Sequence, residues 1–155
     1  MFYSCRYGGL GRRAWFRSRN FGEKCKVQNA ECKIKGNFMS TNVSAQKSFD
    51  FAVRIVKLYK YLTNEQKEYV LSKQLLRCGT SIGANISEAQ CGQSKADFIS
   101  KISIALKEAN ETSYWLKLLY KTDYLNKLQF DSLNDDITEL ISILTSICKT
   151  SNSNK

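Results

Sequence analysis

The sequence predicts an all-α protein, an antiparallel up-down-up-down four-helix bundle, and three observations support this. Between residues 71 and 119, apolar positions recur in alternate steps of four and three, which keeps them on one side of a helix. The 155-residue chain contains no proline, and proline would remove a helical hydrogen bond wherever it occurred inside a helix. The predicted connections are short, and short connections force sequential helices to run in opposite directions.

The first helix is expected from residue 48 to about residue 62, after a short polar lead-in at residues 39–47. Apolar residues recur along it at helical spacing and form its inner face: Phe51, Ile55, Leu58 and Leu62. Thr63 and Gln66 follow with the spacing of a capping box, in which side chains satisfy free backbone amides of the first turn. We therefore predict that Thr63 caps the second helix after a very short turn.

The second helix is expected to run to about Gln90, where Gly92 can end it. Its segment 79–87 is poor helix material, because each of its two glycines costs about 1 kcal/mol relative to alanine. A loop is the alternative for this segment, but the apolar spacing continues through it and favours a helix. The predicted inner face consists of Leu71, Leu75, Cys78, Ile82, Asn85 and Ala89.

The third helix is expected over residues 95–121, with Ser94 and Asp97 marking its start. Its inner face consists of Phe98, Ile102, Ala105, Ala109, Thr112, Leu116 and Leu119. The fourth helix should cover residues 130–149, where acidic residues in the first turns suit the positive end of the helix dipole. The bundle would thus occupy residues 48–149, and residues 150–155 are expected to fray.

Most of the basic excess lies before the bundle. Residues 1–38 carry nine Lys or Arg against two Glu, which leaves +7 of the total charge of +10. This N-terminal extension could be a basic, aromatic arm that orders on RNA. The alternative, which we favour, is a disordered or mis-assigned start with Met39 as the first residue, since nothing in the extension could bury a core. No apolar run precedes a small-residue cleavage site, which argues against a secretory signal.

Composition argues against an enzyme. The chain has no histidine, which removes the commonest general base and the commonest transition-metal ligand. Cys5, Cys25 and Cys32 lack the C-x-x-C spacing of zinc sites. We therefore expect no cofactor, no metal and no catalytic residue. Without a signal peptide or an apolar run of about 18 residues, we also expect a cytoplasmic protein that does not enter a membrane.

Polar side chains are also stacked along the second helix, and two glutamates of the third helix can face them. Carboxylates of this kind resemble those of di-iron bundles, but such sites pair Glu with His, which this chain lacks. We therefore expect a buried, satisfied network that fixes the register of the bundle. Its predicted members are Arg77, Ser81, Asn85, Glu88, Glu108 and Glu111.

The second helix also carries a family resemblance. Residues 75–89 read LLRCGTSIGANISEA, which resembles the signature of small bacterial four-helix-bundle proteins encoded in intervening sequences of 23S ribosomal RNA genes. Supporting matches are KADF at residues 95–98 and EANET at residues 108–112, and the resemblance covers about residues 49–148. It implies a ring-like homopentamer without enzymatic activity. It also implies a relation to the accessory protein of diversity-generating retroelements, which binds nucleic acid and a reverse transcriptase through a basic surface.

Two functions remain open at this point. One is a non-enzymatic oligomeric accessory or adaptor that binds RNA or DNA, and the other is a module that docks a partner protein between subunits. A pentamer would raise the bundle's charge of +3 to about +15 per ring, and such a field makes weak phosphate contacts add up. The candidate nucleic-acid contacts are Lys47, Arg54, Lys57, Lys60, Lys73, Lys101 and Lys107.

Overall fold

The computed structural model describes residues 38–153 and the side chains of residues 43–151. It contains four helices in the order α1 (Phe38–Asn64), α2 (Leu71–Gln90), α3 (Lys95–Lys121) and α4 (Lys127–Ser153), and the described part of the chain has no strand. The predicted all-α four-helix fold is confirmed. The predictions for residues 1–37, including the basic extension and its three cysteines, lie outside the described residues.

Each helix packs against the next one along the chain, and α4 packs back against α1. The cross-helix contacts run in opposite directions along neighbouring helices. On α2 and α3, for example, Arg77 contacts Glu111 whereas Glu88, further along α2, contacts Lys101, which lies earlier on α3. This is the pairing of an antiparallel bundle, in which each helix packs beside its two neighbours.

The core is a single apolar cluster to which all four helices contribute. Its largest fully buried side chains are Phe51, Ile55, Leu62, Leu75, Ile82, Ile86, Ile102, Leu116, Leu119, Ile137, Leu140 and Leu144. Most residues of the predicted inner faces are buried, although Leu71 and Phe98 are only partly so, and one position on α2 is wrong. Asn85 is only half-buried, and its neighbour Ile86 occupies the interior instead, because the step from Ile82 to the next buried position is four rather than three.

The glycine-containing segment 79–87 is helical, as the apolar spacing predicted. A Cβ atom added at Gly79 would lie 2.9 Å from Cγ1 of Ile55, so α1 approaches α2 as closely as only glycine permits. A Cβ atom at Gly83 would lie 3.5 Å from Oγ of Ser48, which is ordinary contact. The low helix propensity at Gly79 is thus offset by close packing between α1 and α2.

The start of α2 differs from the prediction. Thr63 still belongs to α1, and its hydroxyl donates to the carbonyl oxygen of Tyr59 at 2.9 Å. The amides at the start of α2 are satisfied by the buried carboxylate of Glu68. It accepts from the backbone amides of Val70 (2.9 Å), Leu71 (2.7 Å) and Ser72 (2.6 Å). A left-handed residue, Lys67 with φ 55°, lies just before it.

The outer ends of α1 and α4 also extend beyond the predicted limits. The structure begins α1 at Phe38, so the residues expected as a lead-in are helical. It begins α4 at Lys127, because Asn126 and Gln129 form a reciprocal capping box. The amide of Gln129 donates to Oδ1 of Asn126 at 2.9 Å, and the amide of Asn126 donates to Oε1 of Gln129 at 3.0 Å. Residues 150–153, which were expected to fray, continue α4.

The limits of α3 match the prediction at both ends. Ser94 caps the helix, and its Oγ accepts from the backbone amide of Asp97 at 3.1 Å. The helix then runs without interruption to Lys121, so it presents one outer face along the whole length of the bundle.

Candidate nucleic-acid interface

Two of the predicted basic contacts, Lys47 and Arg54, form ion pairs between α1 and α4. Nζ of Lys47 lies 2.8 Å from Oε2 of Glu139. The guanidinium of Arg54 pairs with Asp136, and it also donates to Oγ of Ser132 at 2.7 Å. We call these five residues the α1–α4 ion-pair seam. Because each cation already has a carboxylate beside it, little of its charge is left to attract a phosphate.

Lys101 is also paired inside the bundle. Its Nζ donates to Oε2 of Glu88 at 2.6 Å, and the two residues link α3 to α2. The hydrogen bond to Glu88 raises the pKa of Lys101 above its ordinary value. Three of the seven predicted contacts therefore already form ion pairs within the chain.

The other four predicted contacts are exposed and form no ion pair with the rest of residues 43–151. They are spread over three helices: Lys57 and Lys60 lie on α1, Lys73 on α2 and Lys107 on α3. Lys57 lies at a shallow, open depression of about 250 Å³ between α1 and α4. The remaining lining residues are Arg54, Leu58, Gln129 and Leu133.

The predicted polar network is only partly buried and consists of separate contacts. The side chain of Arg77 is 56 % exposed, and its guanidinium pairs with Glu111 and lies 3.7 Å from Oε2 of Glu108. Asn85 donates separately to Ser81, at 2.9 Å to the carbonyl oxygen and 3.2 Å to Oγ. The expectation of one buried network is wrong because these positions lie beside the buried face of α2 and not on it.

The charges in this cluster favour pairing and not proton transfer. The pKa of Glu111 is lowered, first by the indole N–H of Trp115, which donates to Oε1 at 3.2 Å, and then by Arg77. The pKa of Arg77 is raised by the same carboxylate. Next to it, burial raises the pKa of the Cys78 thiol. An ionised, paired carboxylate and a protonated thiol make a poor acid, base or nucleophile at neutral pH.

A continuous row of polar and basic side chains runs along the outer face of α3. Its members are spaced by three, four, three and four residues, which places them on one side of the helix, away from the core. All five are exposed, and the three lysines form no ion pair within the part of the chain that the structure describes. We call this row the α3 basic stripe: Lys107, Asn110, Tyr114, Lys117 and Lys121.

The aromatic ring of the α3 basic stripe is both exposed and supported. Tyr114 is 59 % exposed, and its ring meets that of Trp115 edge-on, with centroids 5.1 Å apart and an interplanar angle of 73°. The indole of Trp115 is fixed in turn by its hydrogen bond to Glu111. A ring held in this way presents apolar surface to solvent with little freedom to lose on binding.

Of this stripe, only Lys107 was predicted from the sequence as a nucleic-acid contact. Tyr114, Lys117 and Lys121 were missed, although their spacing was visible on the polar side of the predicted third helix. The decisive property could not be seen in the sequence: acidic residues of α3 such as Glu108 and Glu111 turn toward Arg77 on α2 and leave the stripe without a carboxylate.

A second exposed feature is an apolar row on α1, formed by Phe49, Val53 and Val56, which we call the α1 apolar stripe. Phe49 is 65 % exposed, and the three residues are spaced by four and three along the helix. Contiguous apolar side chains in solvent commonly mark a protein contact surface.

Within the described ranges, no group of three or more His, Cys, Asp or Glu side chains is arranged to hold a metal ion. None of the described helices is long and apolar enough to cross a membrane.

Comparison with known proteins identifies the family. Residues 41–146 match the family described as 23S rRNA-intervening sequence protein. The chain belongs to this family. A crystal structure of a protein of unknown function from the S23 ribosomal protein family of Bacteroides thetaiotaomicron is 62 % identical, with a TM-score of 0.71. The similarity covers 72 % of this chain and 99 % of that one. No curated protein matches the chain.

Proposed function

We propose that this member of the 23S rRNA-intervening sequence protein family is a non-enzymatic oligomeric accessory that binds RNA or DNA. The observation that carries the proposal is the division of its basic residues. Lys47, Arg54 and Lys101 are paired with carboxylates of neighbouring helices, whereas other lysines stay exposed without a carboxylate partner among the described side chains. Unpaired surface cations are the groups that bind phosphates and release counterions.

Self-association is the second part of the proposal. The α1 apolar stripe offers a surface that a second copy would cover, and the family resemblance implies a ring-like homopentamer. A ring would bring the unpaired lysines of several subunits into one field, which strengthens each phosphate contact. Light scattering should then give the mass of a pentamer for the full chain, and Phe49→Asp should lower that mass.

The absence of enzymatic activity belongs to the same proposal. Carboxylates that could serve as acid or base, such as Glu88 and Glu111, are each paired with a lysine or an arginine of the neighbouring helix. The free thiols of Cys78, Cys91 and Cys148 suit a reducing compartment, so we place the protein in the cytoplasm. A hydrolase screen of the full chain beside Glu88→Gln and Glu111→Gln variants should show no activity that depends on either residue.

Filter binding tests the nucleic-acid proposal directly. The full chain should retain RNA and DNA oligonucleotides at about 50 mM salt and release most of them at about 200 mM, since phosphate contacts weaken steeply with salt. Failure to retain any nucleic acid at the lower salt concentration would contradict the proposal.

The alternative is a module that docks a partner protein between subunits, and the α1 apolar stripe is the observation that favours it. Pull-down from lysate with and without nuclease separates the two functions. A partner retained after nuclease treatment would favour docking of a protein, whereas a partner lost with the nucleic acid would favour the accessory function.

A further inference from the structure

We propose that the α3 basic stripe is a binding site for single-stranded nucleic acid, with Tyr114 stacking on a base and the lysines contacting phosphates. This inference rests on the nucleic-acid function proposed above and assigns that function to one face of the bundle. From Lys107 to Lys121 the stripe extends roughly 21 Å along the helix at 1.5 Å per residue. Such a length suits a short segment, like the roughly four nucleotides of the smallest single-strand sites.

The charge of the stripe is the first argument. Lys107, Lys117 and Lys121 stand on one face with no carboxylate among them, and Nζ of Lys121 lies 5.9 Å from the ring centroid of Tyr120 and not beside an acid. Arg77 on the neighbouring helix, by contrast, is paired with Glu111 and lies close to Glu108. A row of like charges that the fold leaves unpaired is complementary to a polyanion.

The ring of Tyr114 is the second argument, and it selects single strands. It lies between Lys107 and Lys117 in the row, and Trp115 supports it edge-on. Bases in a duplex are stacked on each other and cannot offer a face to a side chain on a convex helix surface. The unstacked bases of a single strand can, and aromatic rings in basic grooves bind them in this way.

Asn110 adds a polar group of the kind that contacts base edges. Its Nδ2 donates to the carbonyl oxygen of Leu106 at 2.8 Å, which fixes the amide and leaves Oδ1 as the atom able to accept from a base amino group. One turn separates it from Tyr114, so a base stacked on the ring lies within reach of the amide.

A second copy of the chain is a poorer occupant of the stripe. The carboxylates of α4 are the largest acidic group of the bundle, but three of the four, Asp131, Asp136 and Glu139, are each paired with a cation of the same chain. Docking α4 of another copy on the stripe would therefore break existing ion pairs to form new ones. The unpaired charge on α3 is better matched by a ligand that is anionic throughout.

The contribution of the stripe's lysines to binding is tested by fluorescence anisotropy with a labelled oligothymidylate and the full chain. The stripe variant carries Lys107→Gln, Lys117→Gln and Lys121→Gln, and a control of equal charge carries Lys67→Gln, Lys127→Gln and Lys149→Gln. We expect at least a tenfold loss of affinity for the stripe variant only, with the slope of log K against log salt reduced by about 2. Equal losses in both variants, or none in the stripe variant, would overturn the site but leave the proposed function standing. Absence of binding by the unmodified chain would overturn both.

The ring is tested with the same oligonucleotide and with inorganic polyphosphate, which has no bases. Tyr114→Leu should weaken binding of the oligonucleotide about tenfold and leave binding of polyphosphate unchanged. Tyr114→Phe should bind the oligonucleotide as tightly as the unmodified chain does, because base stacking needs only the ring. Tyr69, 50 % exposed outside the stripe, provides the matched control Tyr69→Leu. Equal effects of the two leucine variants, or equal losses for both ligands, would overturn the stacking contact.

Discussion

Helix α1 contacts its two neighbours through different interactions, close packing on one side and ion pairs on the other. Toward α2, Gly79 lets Ile55 pack against the helix backbone, and no charge is involved. Toward α4, contact is looser and includes the α1–α4 ion-pair seam, in which Arg54 and Asp136 are both more than one-third exposed. Close packing is unaffected by salt but fails with one added methyl group, whereas exposed ion pairs tolerate changes of shape and are screened by salt.

This difference also separates structure from function among the basic residues. The cations of the α1–α4 ion-pair seam contribute modestly to stability and are each paired with a carboxylate, while those of the α3 basic stripe form no ion pair in the described part of the chain. The same residue types thus serve two purposes, and the position of the nearest carboxylate decides which one.

The largest effect is expected from Gly79→Ala. The new Cβ would lie 2.9 Å from Cγ1 of Ile55, a stiff β-branched side chain, so the α1–α2 contact must open. After the gain of about 1 kcal/mol in helix propensity, we expect a net loss of about 1–2 kcal/mol in the free energy of unfolding. Urea denaturation measures it. Gly83→Ala is the matched control and should stabilise the protein by about 0.5–1 kcal/mol, because its Cβ meets only ordinary contacts. Equal effects of the two substitutions would show that close approach at Gly79 does not matter.

A smaller loss in the free energy of unfolding is expected from Glu68→Gln, at the end of the α1–α2 connection. Burial alone would raise the pKa of Glu68, but the amides of Leu71, Ser72 and Val70 hold it below its ordinary value. A lowered folded-state pKa stabilises the protein above the unfolded-state pKa of about 4.3, and this stability is lost as pH falls through the folded-state pKa. We expect Glu68→Gln to cost about 1 kcal/mol at pH 7, as other cap losses do, and to flatten the acid limb of the stability curve. An unchanged acid limb in thermal melts would contradict this role.

Arg54→Met should lower the free energy of unfolding by less, about 0.5–1 kcal/mol, because the ion pair that it removes is partly exposed. The difference from the unmodified protein should shrink at about 1 M salt, where charges are screened within about 3 Å, while the effect of Gly79→Ala should stay the same. Lys57→Met, one turn further along α1 and without an ion-pair partner in the described bundle, is the control and should change stability by less than about 0.5 kcal/mol. A salt-independent effect of Arg54→Met would mean that packing, and not charge, joins α1 to α4.

The smallest effect is expected from Lys47→Met. Its pair with Glu139 is the more exposed member of the seam and lacks the additional bond to Ser132 that Arg54 makes. We expect a loss of about 0.2–0.5 kcal/mol at low salt and none at about 1 M. Stability measured by urea denaturation at both salt concentrations tests this, and a loss larger than that of Arg54→Met would reverse the order that exposure predicts.

Much of the fold could be predicted from the sequence because helical periodicity is local. The spacing of apolar residues identified the four helices, and it kept segment 79–87 helical although Gly79 and Gly83 disfavour a helix. The same reasoning placed Asn85 on the inner face, where the structure has Ile86. A strict alternation of four and three drifts against the 3.6-residue turn, so positions near the edge of a buried face are assigned poorly.

The remaining features depend on contacts between residues distant in sequence or on unusual caps. Glu68 caps α2 from a buried turn, and glutamate at that point is not part of the usual Ser, Thr, Asp or Asn signature. The partners of Lys47 and Arg54 lie on α4, so the sequence could not distinguish occupied cations from free ones. Tyr114 could have been recognised from its spacing with Lys117, but its support by Trp115 is a property of the folded helix.

The most direct test of this account is a side-by-side measurement of two triple variants. One neutralises the α3 basic stripe at Lys107, Lys117 and Lys121, and the other neutralises paired cations at Lys47, Arg54 and Lys101, each lysine or arginine being replaced by glutamine. The account predicts that the first variant loses oligothymidylate binding at unchanged urea stability, while the second loses stability and keeps binding. The opposite result, with binding lost when the paired cations are removed and kept when the stripe is removed, would contradict it.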